Sequence, residues 1–530
     1  MIIWKYGNKA HLAVLVLLDT CAGLESLFMS LVSSHFILAA TNRSMSIFTR
    51  TAIAGVLGFA IFAVLDYWRI TVKNRYIRAI NLRIKTRLIH KIIEQNAAEI
   101  DTDGALSLFT NDLKLLENNG IRNEVQLIQQ VLIVVFAVIG GFYFDLPSTL
   151  VFAVGGVVPL LVSNKLHPRI VAKSKRWSQN NAAFTGSIKD TLLGIESIRN
   201  YFAQQISERR LVKDAADVED TQNEMNATQG HVSVLTMFVA LTFAFVLPFT
   251  FGIYRVVNGA ITLATFMGVV QISNDIVNPL MSGLTAYNTI GTTKEIQARV
   301  NAMIKGIDDQ LPAVPDINAS HFAGLEMDHL TVARGDKPVL RDFDLKVEPG
   351  SKILIKGPSG VGKSTLLKTI LGTVRPGAGH YELDGQDVTS GIPAELRQTF
   401  AYIRQQPTIF NESLRFNLTL GREFTTEKIT AAMQQAGLGQ LLAEKGLDYQ
   451  VGEAGRNLSG GQAQRIEIAR ALLYGFPVLL ADEISSALDE KLATQIHATI
   501  FASGKTVIEV AHHLDQATEA QFDQLVALHA

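Results

Sequence analysis

The chain has 530 residues, 48% of them apolar and 18% charged, with a formal net charge of −1 at pH 7. That length calls for at least two domains, and the near-zero charge removes bulk electrostatics as a route to nucleic acid. A single cysteine, Cys21, excludes both an intrachain disulfide framework and a cysteine-based zinc site.

The apolar residues are unevenly placed. Residues 1–300 contain long charge-free runs, whereas 320–530 read as a water-soluble α/β domain. The amino-terminal apolar run continues from residue 12 to about 40 with no small-residue cleavage site, so it reads as a retained membrane helix. Crossing about 30 Å of hydrocarbon takes about 20 mostly apolar residues. Six segments qualify, at 11–38, 50–69, 125–144, 147–164, 232–254 and 258–283. The first carries Asp19 and Glu25, and the second is uncharged only from Thr51 to Leu65, before Asp66 and Arg69. With His35 and, in the sixth span, Gln271, Asn274 and Asp275, these polar groups are costly in lipid and are expected to face the interior. They contact a polar or cationic part of a substrate or bond helix to helix.

Basic residues orient the spans. Lys73, Arg75, Arg78, Arg83, Lys85, Arg87 and Lys91 follow the second span, and Lys165, Arg169, Lys173, Lys175, Arg176, Lys189 and Arg199 follow the fourth. Both loops are expected in the cytoplasm, with both termini. They are long, poor in proline and apolar at helical spacing, which predicts helical hairpins continuing out of the membrane. The predicted tips are 98–104 and 185–194, the second followed by Ile195 to Tyr201.

In the second half, Gly357-Pro358-Ser359-Gly360-Val361-Gly362-Lys363-Ser364-Thr365 lies between a β-rich run, 352–356, and an apolar helical start, 366–371. Strand, glycine-rich loop and helix in that order make a phosphate loop. Its glycines let backbone N–H groups turn inward, Lys363 reaches the outer phosphates and Ser364 binds Mg²⁺. The apolar run Val478–Ala481 ends in Asp482 and Glu483. Asp482 then enters the Mg²⁺ shell, and Glu483 orients and deprotonates a water attacking the γ-phosphate.

Between these two elements lies Leu458-Ser459-Gly460-Gly461-Gln462, leading into Ala463 to Arg470. With this signature the sequence resembles the ABC transporter family, exporter-type half-transporters that fuse a membrane domain to one ATPase domain. The resemblance implies that Ser459, Gly460, Gly461 and Gln462 close over nucleotide held by a partner chain, giving two composite sites in a dimer. It also implies that Gln405 bridges Mg²⁺, water and the membrane domain, that Ser486 to Asp489 links the two sites, and that His512 contacts the γ-phosphate. Asp448 to Gly455 resembles the loop that meets the cytoplasmic hairpins, and Gly104 with Asn111-Asp112, Gly194 to Arg199 and Gly259 to Thr262 resemble exporter-type membrane segments. The sequence departs from the family at two places. Arg334 stands where an aromatic usually stacks on adenine, although a guanidinium also stacks on a base. The short amino terminus leaves little room for a helix before the first span.

The expected fold is an all-α six-helix transmembrane domain, 1–305, a linker, 306–320, and an α/β phosphate-loop ATPase domain, 321–530. The expected function is ATP hydrolysis with Mg²⁺, coupled to moving a hydrophobic or amphiphilic small molecule across the plasma membrane in the export direction. The alternative is import of a compound such as a siderophore or tetrapyrrole. The partner is a second half-transporter, identical or homologous, with membrane lipid around it and no nucleic acid.

Overall fold

A computed structural model describes residues 1–95, 101–307, 321–334, 337–358, 360–393, 395–484, 490–511 and 514–528. Its contacts divide the chain into two compact units, one built from Met1–Glu94 and Asp101–Leu311 and the other centred on Pro312–Ala530.

The first unit is helical: α1 (Ile2–Tyr6), α2 (Lys9–Thr41), α3 (Met45–Glu94), α4 (Gly104–Phe144), α5 (Leu146–Leu193), α6 (Ile195–Asn200), α7 (Gln204–Val257), α8 (Leu263–Gly291) and α9 (Lys294–Met303). Side-chain caps start several of them. The Asn8 carboxamide oxygen accepts from Ala10 N at 2.8 Å, Asp145 accepts from Ser148 N at 3.0 Å ahead of α5, and Thr262 accepts from Thr265 N at 3.1 Å ahead of α8. At 1.5 Å per residue, α3, α5 and α7 extend well past an apolar span, as helical hairpins require.

Five of these helices, α2, α3, α4, α5 and α7, are long and apolar enough to cross a membrane. The sixth expected span, α8, falls short because Gln271, Asn274, Asp275 and Asn278 interrupt its apolar residues. It instead packs against α4, α2 and α5, burying Ile272, Ser273, Ile276 and Pro279. A span lined by neighbouring helices tolerates polar groups that a lipid-facing one does not.

The structure corrects two expectations here. The short amino terminus does hold a helix, α1, whose Ile2 and Ile3 N–H groups each donate at 3.0 Å to the buried Glu124 carboxylate. The second tip is not at 185–194: α5 stays helical to Leu193, and the chain turns at Gly194 and again at Tyr201–Ala203, where Tyr201 and Phe202 are exposed. Residues 98–100 of the first tip lie outside the described residues, and the chain is helical from Thr102, with Asp101 accepting from Gly104 N at 3.0 Å.

The second unit carries two sheets. β1 (Leu325–Arg334), β2 (Lys337–Val347), β4 (Ala378–Leu383) and β5 (Gln386–Asp387) pair antiparallel in the order β2-β1-β4-β5. β3 (Lys352–Lys356), β6 (Phe400–Ile403), β7 (Val478–Asp482), β8 (Thr506–Val510) and β9 (Gln524–Ala527) form a parallel sheet in the order β6-β7-β8-β3-β9. The helices are α10 (Lys363–Ile370), α11 (Leu414–Thr419), α12 (Thr426–Gln435), α13 (Gly439–Lys445), α14 (Gly460–Tyr474), α15 (Glu490–Ala502) and α16 (Gln516–Glu519). Alternation along β7 places Val478 and Leu480 in a core shared with α10 and the antiparallel sheet, and Leu479 and Ala481 in a second core with α11 to α15. A strand covered on both faces reads as a continuous apolar run, which is why 478–481 looks as it does.

Candidate nucleotide site

Three parallel strands bring the chemistry together. β3 opens the phosphate loop, β7 delivers Asp482 and Glu483, and β6 leads into Gln405, all at the carboxyl ends of their strands. Gly357 must be glycine because a Cβ there would lie 2.7 Å from the Leu528 carbonyl oxygen. Gly362, at φ +111, begins α10, and a Cβ on it would meet Val339 Cγ1 at 2.5 Å. Lys363 Nζ donates to the carbonyls of Gly357 at 2.7 Å and Pro358 at 3.0 Å, so the ammonium sits within its own loop. Val361 is buried, Ser364 is exposed, and Thr365 follows on the first turn of α10.

Ser364, Gln405 and Asp482 line one cleft of about 450 Å³, together with Lys368, Tyr402 and Arg404. Gln405 Nε2 donates to Glu483 Oε2 at 2.6 Å. Glu483 has left-handed backbone, φ +53, and its N–H donates to the Val510 carbonyl at 2.9 Å. A non-glycine residue held there is uncommon and clusters at functional sites. The loop carrying Gln405 is tied to α14: Gln464 Nε2 donates to Arg404 O at 3.0 Å, and Thr408 N donates to Glu467 Oε1 at 2.8 Å.

Tyr402 is a site residue that sequence reading missed. Its hydroxyl donates to Asp482 Oδ2 at 3.1 Å, and burial, with the neighbouring Asp482 charge, raises its pKa. The signal was faint, since it depends on β6 lying beside β7, which a single sequence does not state.

The donors suit Mg²⁺: a hydroxyl, a carboxamide and a carboxylate are all hard oxygen ligands. Among the described residues no three of His, Cys, Asp and Glu converge as a self-sufficient metal site.

The signature lies elsewhere. Ser459 caps α14, with Gln462 N donating to its hydroxyl at 3.2 Å and Ser459 N donating back to Gln462 Oε1 at 2.9 Å. Gly460 has open space beside it, and none of Ser459, Gly460, Gly461 and Gln462 lines the cleft. Ser359, Ser486 to Asp489 and His512 lie outside the described residues, as does the side chain of Arg334, whose backbone ends β1.

In the membrane unit the predicted polar residues separate. Asp19 is buried and faces Arg69 at 3.7 Å, and Arg69 also pairs with Asp66 at 2.9 Å. Ser26 Oγ donates to Asp275 Oδ2 at 2.6 Å, joining α2 to α8. Gln271 and Glu25 are half-buried, whereas His35 and Asn274 are exposed. A separate cavity of about 660 Å³ between α4, α5 and α8 is walled by Val134, Leu280 and Gly283, with Gln130, Asn164 and Tyr287 as its polar groups.

Known proteins match both units. A family profile described as ABC transporter transmembrane region matches residues 12–280, and one described as ABC transporter matches 340–486. The mycobactin import ATP-binding/permease protein IrtB of Mycolicibacterium smegmatis is 32% identical over 68% of this chain and 64% of its own length. An ATM1-type heavy metal exporter of Novosphingobium aromaticivorans is 29% identical over 64% of this chain and 56% of its own. The chain thus spans less than two thirds of either relative. An ATP-dependent lipid A-core flippase of Burkholderia pseudomallei is 24% identical over 98% of this chain and 87% of its own. A solved bacterial Atm1-family ABC exporter with ATP bound shares the fold at a TM-score of 0.75, with 22% identity, over 98% of this chain and 94% of that one.

Proposed function

The chain belongs to the ABC transporter family as a multi-pass membrane protein, and from that premise we propose that it is one half of an ATP-driven transporter. Two such chains, identical or homologous, move a hydrophobic or amphiphilic molecule across the plasma membrane, with the ATPase domains in the cytoplasm. The domains run from 1 to 305 and 321 to 530, joined by 306–320. The observation that carries the reading is the Gln405–Glu483 hydrogen bond beside a cleft lined by Ser364 and Asp482.

Each residue then has a task. The phosphate loop, 357–365, cradles the ATP phosphates, and Lys363 turns from its own carbonyls to the outer ones. Ser364, Gln405 and Asp482 hold Mg²⁺, which when bound offsets charge developing on the phosphates. Glu483 takes the proton of the attacking water while Gln405 holds its carboxylate in place. His512 contacts the γ-phosphate, and Arg334 stacks on adenine. Ser459 to Gln462 present a capped, glycine-rich helix start to the nucleotide on the partner chain, so each site needs both chains.

Cargo enters the cavity walled by Val134, Leu280 and Gly283, whose apolar lining and few polar groups suit an amphiphile. Export is favoured because relatives named as an exporter and a flippase match this chain. Import is the second reading, favoured by the match to a mycobactin importer. Inside-out vesicles containing the chain distinguish them: ATP-dependent accumulation of a lipophilic dye means export, and ATP-dependent loss of preloaded dye means import. ATP hydrolysis that no lipophilic compound stimulates, with no movement in either direction, would sink the transport reading.

A further inference from the structure

Two buried ionisable side chains have no part in the chemistry above. Glu509, on β8, is fully buried, and His497, on α15, is 2% exposed. His497 Nε2 lies 3.0 and 3.1 Å from the two Glu509 oxygens, and Nδ1 lies 2.9 Å from the Ala493 carbonyl oxygen. Nδ1 faces a carbonyl oxygen and so carries a proton, and Nε2 hydrogen-bonds the Glu509 carboxyl, which makes a buried His–Glu pair with both ring nitrogens engaged.

Such a pair needs a reason. A parallel strand buried on both faces is ordinarily all apolar, and Thr-Val-Ile-Glu-Val departs from that at Thr506 and at Glu509, its one ionisable residue. Exchanging a buried ion pair for well-packed apolar residues is often neutral or stabilising, and fixing register is the best-attested role of such pairs.

The position of β8 makes register consequential. It lies between β7, which ends in Asp482, and β3, which opens the phosphate loop. Glu509 stands level with Ala481 on one side and Leu354 on the other, and Val510 stands level with Asp482 and Ile355. It is the Val510 carbonyl that accepts the Glu483 N–H and holds that residue left-handed. The turn before β8 is fixed as well: Lys505 Nζ donates at 2.7 and 2.6 Å to the carbonyls of Gly475 and Phe476, at the end of α14.

We propose that His497 and Glu509 are a positioning pair, pinning β8 to α15 so that Val510 holds Glu483 at its working distance from the phosphate loop. The inference rests on Glu483 being the general base. A side chain that places a base acts on turnover rather than on nucleotide affinity, and small misplacements cost up to about a hundredfold.

The test uses the full chain in liposomes, measuring ATP turnover, affinity for trinitrophenyl-ATP and melting temperature. The variants are E509Q, which keeps the shape, and the apolar pair H497M/E509L. Both are expected to bind trinitrophenyl-ATP within about twofold of the parent while turnover falls about tenfold, with the apolar pair melting no lower than the parent. Parental turnover in either folded variant overturns the proposal, and so does an equal loss of affinity, turnover and melting temperature, which marks a merely structural role. If the apolar pair does not fold, E509Q decides by the same criteria. A different result marks failure of the site reading itself: a parent that hydrolyses no ATP, or an E483Q chain as active as the parent.

Discussion

Gln405 and Glu483 arrive from different strands, β6 and β7, and meet through one hydrogen bond of 2.6 Å. The amide donor orients the Glu483 carboxylate, while the Val510 carbonyl fixes the backbone beneath it. Gln405→Ala is therefore expected to lower ATP turnover roughly tenfold, less than the 10²–10⁴-fold that loss of a general base costs. Turnover at the parental level in a folded Q405A chain would contradict this.

The two left-handed glycines of the phosphate loop are not equivalent. Gly360, at φ +83, has open space where a Cβ would point, so Gly360→Ala costs backbone strain of about 1–2 kcal/mol. Gly362, at φ +111, adds a 2.5 Å clash with Val339 and lies outside the region an L residue tolerates. G362A is expected to abolish ATP binding and G360A to weaken it only severalfold, as nucleotide titrations will report. Equal effects would show that the clash is relieved at no cost.

Glu124 supplies the cap of α1 from α4, with both carboxylate oxygens engaged and the residue buried. Glu124→Ala leaves the Ile2 and Ile3 N–H groups unpaired, at about 1–3 kcal/mol each. The expected outcome is a lower melting temperature and faster amide exchange at residues 2–6. E124Q, which keeps one acceptor oxygen, is expected to fall between the two. An E124A chain as protected as the parent would mean that α1 holds by apolar packing alone.

The His497–Glu509 pair also sets a pH dependence. Burial alone pushes the imidazole pKa down, but the Glu509 hydrogen bond and charge, with the Ala493 carbonyl and Asp515, leave it raised above 6.5. A group whose folded pKa is raised contributes its full stability below its unfolded value and loses it as pH climbs through the folded one. Between about pH 6 and pH 9, the parent is expected to lose more thermal stability than H497M/E509L. Parallel curves would contradict this.

Much of the nucleotide site was legible because its residues are close in sequence and their spacing is chemical: 357–365 can only be a glycine-rich loop between strand and helix, and 478–483 an apolar strand ending in acids. What escaped reading depends on neighbours distant in sequence. Tyr402 reaches Asp482 only because β6 lies beside β7, and Glu509 looks like an ordinary strand residue until His497 is placed against it. Glu124 is likewise 122 positions from the N–H group it caps. The membrane half followed the same division. Five spans are declared by hydropathy, whereas α8 carries polar side chains among its apolar ones and packs against α4, α2 and α5. The second hairpin tip was misplaced because Gly186, a weak helix former, lies inside α5, which runs on to Leu193.

The central claim is that Glu483 is the base of an ATPase whose nucleotide is gripped by 357–365. Glu483→Gln, which keeps shape and removes basicity, tests it most directly when turnover and trinitrophenyl-ATP binding are measured on the same preparation. The expected result is parental binding with turnover down about 10²–10⁴-fold. Turnover within about twofold of the parent, at equal nucleotide occupancy, would contradict the account.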